Sequence, residues 1–189
     1  MKALLVSTLD RGGPVEQTAV LAEGLVALGV QVAVACGSVA LRDRLDAAGL
    51  STLHVPVTSP RDVRGAGRLW RLMDGADIVH GQDRRAGLWT RLAPGMRRVA
   101  RIYTVHGLPD PYLPPPVGDE HPSPRDRLAY EIVDAGLARR ADALILPSEA
   151  LARQFSDRLH FPVARMVVVP NGVAPLTLPA ERGTAIGTL

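Results

Sequence analysis

The chain has 189 residues, 47% apolar and 22% charged, which excludes a disordered or collagen-like polymer and leaves room for one domain with a real core. Only 4% of the residues are aromatic, so the core has to be built from Val, Leu, Ile and Ala, a composition suited to a sheet buried on both faces. The formal net charge is +3 and every basic residue except Lys2 is an arginine; without long like-charge runs or interleaved aromatics, this argues against a dedicated nucleic-acid surface.

Leu4-Leu5-Val6 reads as a first strand, too short an apolar run for a signal peptide because Asp10 and Arg11 follow at once. From Val15 to Leu28, Thr18, Leu21, Ala22, Leu25 and Leu28 recur at helical spacing, and Gly29 stands where a C-terminal cap belongs. Val32-Ala33-Val34-Ala35 is a second strand, and a helix from about Val39 to Ala48 ends at Gly49. The apolar region Leu21–Leu41 is broken by Glu23, Gln31 and glycines, so it is helix, turn and strand and not a bilayer span. The chain reads as a soluble protein, and its single cysteine, Cys36, fits a reducing cytoplasm.

Leu53-His54-Val55 predicts a third, shorter strand. The tetrapeptide Ser-Pro-Arg-Asp then occurs twice, at Ser59–Asp62 and Ser123–Asp126, each reading as a helix start with serine capping and proline at the first helical position. Strands are expected at Asp77–His80, Val99–Val105, Asp142–Leu146 and Met166–Val169. Seven strands with helices between nearly all of them predict an α/β fold, a Rossmann-like doubly wound and mainly parallel sheet with helices on both faces. Gly107 to Pro122 is a long proline-rich loop, and the tail after Ala174 has no period and reads as a linker. The expected division is a domain over 1–174 and a linker over 175–189.

Ligands of such sheets bind beyond the carboxyl ends of the strands, where the strand order reverses. Thr8 to Glu16 follows the first strand, His80-Gly81-Gln82-Asp83-Arg84-Arg85 the fourth and His106-Gly107-Leu108-Pro109-Asp110 the fifth. Gly12-Gly13 before a helix opening at Pro14 permits close backbone approach of an anion, although a tight strand-to-helix turn is the plainer explanation of such a pair. Gly-x-Gly-x-x-Gly and Walker loops are missing, as is a Gly-x-Ser-x-Gly elbow, which disfavours dinucleotide cofactors, P-loop chemistry and a serine hydrolase. The five histidines lack metal-ligand spacing, and Cys36 reads as a small buried residue. Asp83 and Asp110 are acidic candidates without the fixed pairing a glycosidase needs. Arg61, Arg64, Arg68 and Arg71 fall on one helix face, opposite Val63, Ala66, Trp70 and Met73. That stripe is ordinarily a solvated face; at most it predicts weak, salt-sensitive binding to anionic lipid.

Arg11-Gly12-Gly13-Pro14-Val15-Glu16, Leu25–Val32, Asp77-Ile78-Val79-His80, Tyr103-Thr104-Val105-His106-Gly107, Ala141–Ser148 and Val169-Pro170-Asn171-Gly172-Val173 occur in this order. Together they resemble the N-terminal half of the family-4, GT-B-fold glycosyltransferases, which move sugars from nucleotide-sugar donors with retention. The resemblance spans Met1 to about Ala174. It implies that His106 lies at the reacting centre as a hydrogen-bonding group. Gly12 and Gly13 would admit the donor phosphate and acceptor. Glu16, Asp83, Arg84 and Asp110 are expected in acceptor-side loops that bind substrate. The enzyme is expected to be bacterial and cytoplasmic, and through Arg61, Arg64, Arg68 and Arg71 at most peripheral to the inner face of the membrane. Its partners would be a sugar or small-molecule acceptor and the nucleotide sugar, with no metal and no cofactor. Family members continue into a donor-binding C-terminal domain, whereas this sequence stops 16 residues after Val173. The expectation is the N-terminal domain of a longer enzyme, inactive alone. A stand-alone acceptor-binding subunit, a GT-B nucleotide-sugar epimerase fragment and an unrelated flavodoxin-like binding domain are the alternatives.

Overall fold

Ala3 to Ser7 are buried without a break, which a strand achieves only when both faces of its sheet are covered. In the computed structural model, which describes residues 1–54, 57, 59, 61–95, 98–107, 123–128 and 133–173, this segment is β1 (Lys2–Ser7), near the centre of a seven-stranded sheet. The other strands are β2 (Gln31–Cys36), β3 (Ser51–His54), β4 (Ile78–Gly81), β5 (Ala100–Thr104), β6 (Ala143–Leu146) and β7 (Met166–Val168). Their order is β3-β2-β1-β4-β5-β6-β7, and every pairing is parallel. The doubly wound α/β expectation holds, and the order reverses between β1 and β4.

The helices cover the sheet in two layers. Helices α1 (Gly13–Ala27) and α2 (Val39–Ala47) pack Val15, Ala19, Ala22, Leu41 and Leu45 on Leu5, Val34 and Cys36. Helices α3 (Val63–Met73) and α4 (Arg84–Leu92) pack Ala66, Leu69, Met73, Ala86 and Trp89 on the opposite face, against Leu4, Val6, Ala35 and Val79. Beyond them, α5 (Pro124–Leu128) and α6 (Ala135–Ala138) lead to β6, and α7 (Glu149–Leu159) to β7. Ala138 of α6 and Ala152, Phe155 and Leu159 of α7 join Tyr103, Val105, Leu144 and Leu146 in a further core cluster. Among the described residues no helix is long and apolar enough to cross a membrane.

The start of α3 differs from the sequence expectation. Its cap is Asp62, whose Oδ1 accepts from the Gly65 N–H at 2.8 Å, while Ser59 Oγ accepts from Arg61 N. Ser59 therefore shapes the preceding turn, and the helix starts three residues later than its capping signature suggests. Arg61 consequently precedes the helix, leaving Arg64, Arg68 and Arg71 on its exposed face. Val63 is also exposed, and Leu69 fills the core position next to Ala66 and Met73. In the second Ser-Pro start, Pro124 is the first residue of α5, as its position predicts. The 1–174 boundary, the 175–189 linker and most of the 107–122 loop lie outside the described residues.

Two glycines set α4 close against the sheet. A Cβ on Gly81 would lie 2.9 Å from the Gly87 nitrogen, and one on Gly87 would lie 2.5 Å from the Tyr103 ring. This contact brings the residues beyond β4 and β5 into one crevice. Arg91, 1% exposed, lies over the same ring at 4.4 Å from its centroid; its Nε donates to Gly87 O at 2.6 Å.

Candidate functional site

Three adjacent strands end at the reversal point, so the residues just after β1, β4 and β5 are held there by the parallel ladder. After β1 the chain turns through Gly12, whose φ of 105° is costly for any residue with a Cβ. Gly12 O accepts from Val15 N at 3.0 Å, and no side chain caps the helix. Val15 N and Glu16 N both donate to Gly12 O and Pro14 has no N–H, so the α1 N-terminus offers an anion its positive dipole end and the Gly13 N–H, beside exposed Gly12 and Gly13. A Cβ on Gly13 would meet nothing within 4 Å, so packing does not require glycine there.

Gln82 and Asp83 follow β4, and Gln82 N donates to Val6 O at 2.8 Å. The Asp83 carboxylate is buried. It accepts from the Thr8 N–H, from Thr8 Oγ1 at 2.7 Å and from Ala86 N at 2.9 Å, capping α4 while tying it to the end of β1. Arg84 pairs with Asp134 at 3.0 Å, and Asp134 also meets Arg91 at 3.4 Å. Burial pulls the Arg91 pKa down, against Tyr103 and Asp134.

His106 lies two residues beyond β5. Burial lowers its pKa, while the Asp83 charge and a backbone hydrogen bond with Gln82 raise it. Its Nε2 has no partner among the described residues, and in a neutral ring that nitrogen can accept a hydrogen bond. His80 lies behind it, buried, with its Nε2 and Thr104 Oγ1 hydrogen-bonded at 2.7 Å. Burial, then the neighbouring His106, lowers the His80 pKa to about 4.

That shift makes stability depend on pH. The unfolded chain binds the His80 proton near pH 6.5 and the folded chain only near 4, so unfolding takes up a proton between those values and stability falls as the pH drops through them. The full loss is about 3 kcal/mol. Between pH 7 and 5 wild type is expected to lose about 2 kcal/mol more than His80→Gln in urea unfolding; equal losses would refute this account.

The sequence candidates thus divide. Gly12, Gly13, Asp83 and His106 follow β1, β4 and β5 on the same edge of the sheet. Glu16 is exposed on α1 and pairs with Arg44 of α2 at 2.8 Å, which also holds Glu23. Arg84 is turned toward Asp134, and Asp110 lies outside the described residues. Sequence reasoning missed Ser7 and Gln82, both buried with polar atoms lacking partners; neither belongs to a motif, and only their place one step along the ladder from Val6 and Gly81 would have flagged them. Cys36 is buried, and burial raises its thiol pKa to about 11, away from nucleophilic use. Among the described residues no group of three His, Cys, Asp or Glu could hold a metal ion.

The family model described as Glycosyltransferase Family 4 matches residues 11–175. Comparison with curated protein sequences returns no match. Among solved structures, Anabaena HepE in complex with UDP-glucose is 18% identical with a TM-score of 0.72, over 92% of this chain and 44% of that one. A glycosyltransferase from Rickettsia africae is 18% identical with a TM-score of 0.67, over 91% and 43%. A UDP-GlcNAc 2-epimerase from Neisseria meningitidis bound to UDP-GlcNAc is 16% identical with a TM-score of 0.59, over 90% and 46%. The chain therefore spans less than half the length of these structural neighbours, and at such identities they establish the fold.

Proposed function

Because the chain belongs to glycosyltransferase family 4, we propose that it is the acceptor-side domain of an enzyme that moves a sugar from a nucleotide-sugar donor to an acceptor with retention. The observation that carries this reading is the crevice at the β1/β4 reversal, where an uncapped helix N-terminus, suited to a phosphate, stands on the same sheet edge as the free Nε2 of His106. In this reading His106 receives a hydroxyl proton in a hydrogen bond, and Gly12 and Gly13 let the diphosphate approach the α1 backbone. Asp83 positions the two loops, and Arg84 braces α4 through Asp134. Asp110 completes the acceptor side, while Glu16 is held by Arg44. The UDP and UDP-sugar complexes among the structural neighbours support a nucleotide-sugar partner; the reading itself calls on no metal and no cofactor. The donor's remaining contacts come from a C-terminal domain, without which the 189 residues do not turn over.

The test compares this chain with the native gene product that contains it, using UDP-sugars and a panel of acceptors. The expected result is transfer by a protein of roughly twice this mass, as two comparable domains give, and none by the chain alone. Transfer by the 189 residues would overturn the two-domain reading. Epimerisation without transfer would favour the neighbouring epimerases, and a native product of this size alone would indicate a subunit that borrows its donor half.

Arg64, Arg68 and Arg71 make no ion pair among the described residues. With Arg61 they would give the cytoplasmic enzyme weak contact with the anionic inner face of the membrane. Flotation with phosphatidylglycerol vesicles is expected to carry the chain at low salt and lose it at high salt. No flotation at low salt would leave the stripe a solvated face.

A further inference from the structure

Among the described residues, five buried side-chain atoms lack a hydrogen-bond partner: Ser7 Oγ, Gln82 Oε1 and Nε2, His106 Nε2 and Arg91 Nη1. Four of the five belong to the ends of β1, β4 and β5. Val6 and Gly81 are partners in the ladder, so Ser7 and Gln82 stand one step further along neighbouring strands. Side chains alternate between faces. Leu4, Val6 and Val79 face α3 and α4, which sends Ser7, His80 and Gln82 to the other face, the side of α1. The hydrogen bond between His80 Nε2 and Thr104 Oγ1 shows that this polar face continues onto β5, and His106, two residues beyond Thr104, extends it by the same alternation.

A buried primary amide with neither its oxygen nor its nitrogen bonded is costly, and an apolar side chain of the same shape would avoid that cost. Gln82 is 0% exposed and Ser7 1%, while His106 is only partly buried, so His106 is the member of the group nearest solvent. The chemistry is balanced for hydroxyls. Gln82 Oε1 and His106 Nε2 accept, Gln82 Nε2 donates, and Ser7 Oγ does either; nothing in the set is charged.

We propose that Gln82, with Ser7, is a specificity-determining element that recognises neighbouring hydroxyls of a neutral saccharide entering past His106. This rests on the sugar-transfer reading and adds to it a residue and a ligand chemistry. The amide is kept for the ligand at the expense of stability, as functional sites commonly are.

The test uses the 189-residue chain, glucose as the probe and Gln82→Met as a shape-conserving variant. Glucose is expected to shift the Gln82 side-chain amide and the His106 ring signals saturably in NMR spectra. Gln82→Met should weaken the His106 shift at least tenfold while the melting temperature stays the same or rises. Glucose leaving the Gln82 amide unmoved would overturn the inference. So would a fall in melting temperature of more than about 5 °C in Gln82→Met, which would mark the amide as structural. Sugar transfer by the native gene product is scored separately: its absence with glucose binding intact would refute the transferase reading and leave the saccharide subsite standing.

Discussion

Asp83→Ala is expected to destabilise the chain by about 3–5 kcal/mol, the sum of a lost helix cap and two buried donors left without an acceptor. The carboxylate is buried and serves three hydrogen atoms at once, on the Thr8 backbone, the Thr8 hydroxyl and Ala86 N. Thr8 is itself buried, so water cannot replace the lost acceptor without opening the junction of β1 with α4. Asp83→Asn keeps the shape and one acceptor oxygen, and should fall between wild type and the alanine variant. Urea unfolding with an unchanged slope would measure the difference. A loss below about 1 kcal/mol would mean that the junction rests on the Gly81–Gly87 packing and not on this carboxylate. The same contacts make Asp83 a positioning residue for the crevice, since both of its oxygens are engaged.

His106→Ala is expected to lower kcat of the native enzyme about 100-fold, the usual effect of removing one hydrogen-bonding group at a reacting centre. Its stability should stay within about 1 kcal/mol of wild type, because its Nε2 holds no hydrogen bond within the described residues. Burial keeps the ring neutral below the ordinary imidazole range. Lowering the pH through its depressed pKa turns the Nε2 acceptor into a donor, so activity should fall on the acid side, at a pH below that of a free histidine. That acid limb should vanish in the alanine variant. Turnover and pH profile unaltered by the substitution would remove His106 from the site.

The layout of the chain was legible in its residues alone. Alternation of β-branched runs with 3.6-residue periods is a local property, and seven parallel strands result from it because consecutive strands joined by helices admit few other arrangements. That Gly12, Gly13, Asp83 and His106 follow strands ending at one edge of the sheet was legible for the same reason: each stands beyond the carboxyl end of a strand, and the reversal point gathers those ends. The Ser59 cap was misread because serine and aspartate compete for the same helix start, and Asp62, three residues nearer the helix body, satisfies Gly65 N.

The task of each polar group, once it reaches the crevice, was set by packing. Glu16 and Arg84 are drawn away into pairs with Arg44 and Asp134, residues 28 and 50 positions distant, and no local pattern announces such partners. Ser7 and Gln82 sit in no motif; their orphaned atoms exist only because three strands and a helix exclude water from the same edge. Hydrogen-bond satisfaction is a property of the packed interior, settled by long-range neighbours, whereas periodicity is written residue by residue along the chain.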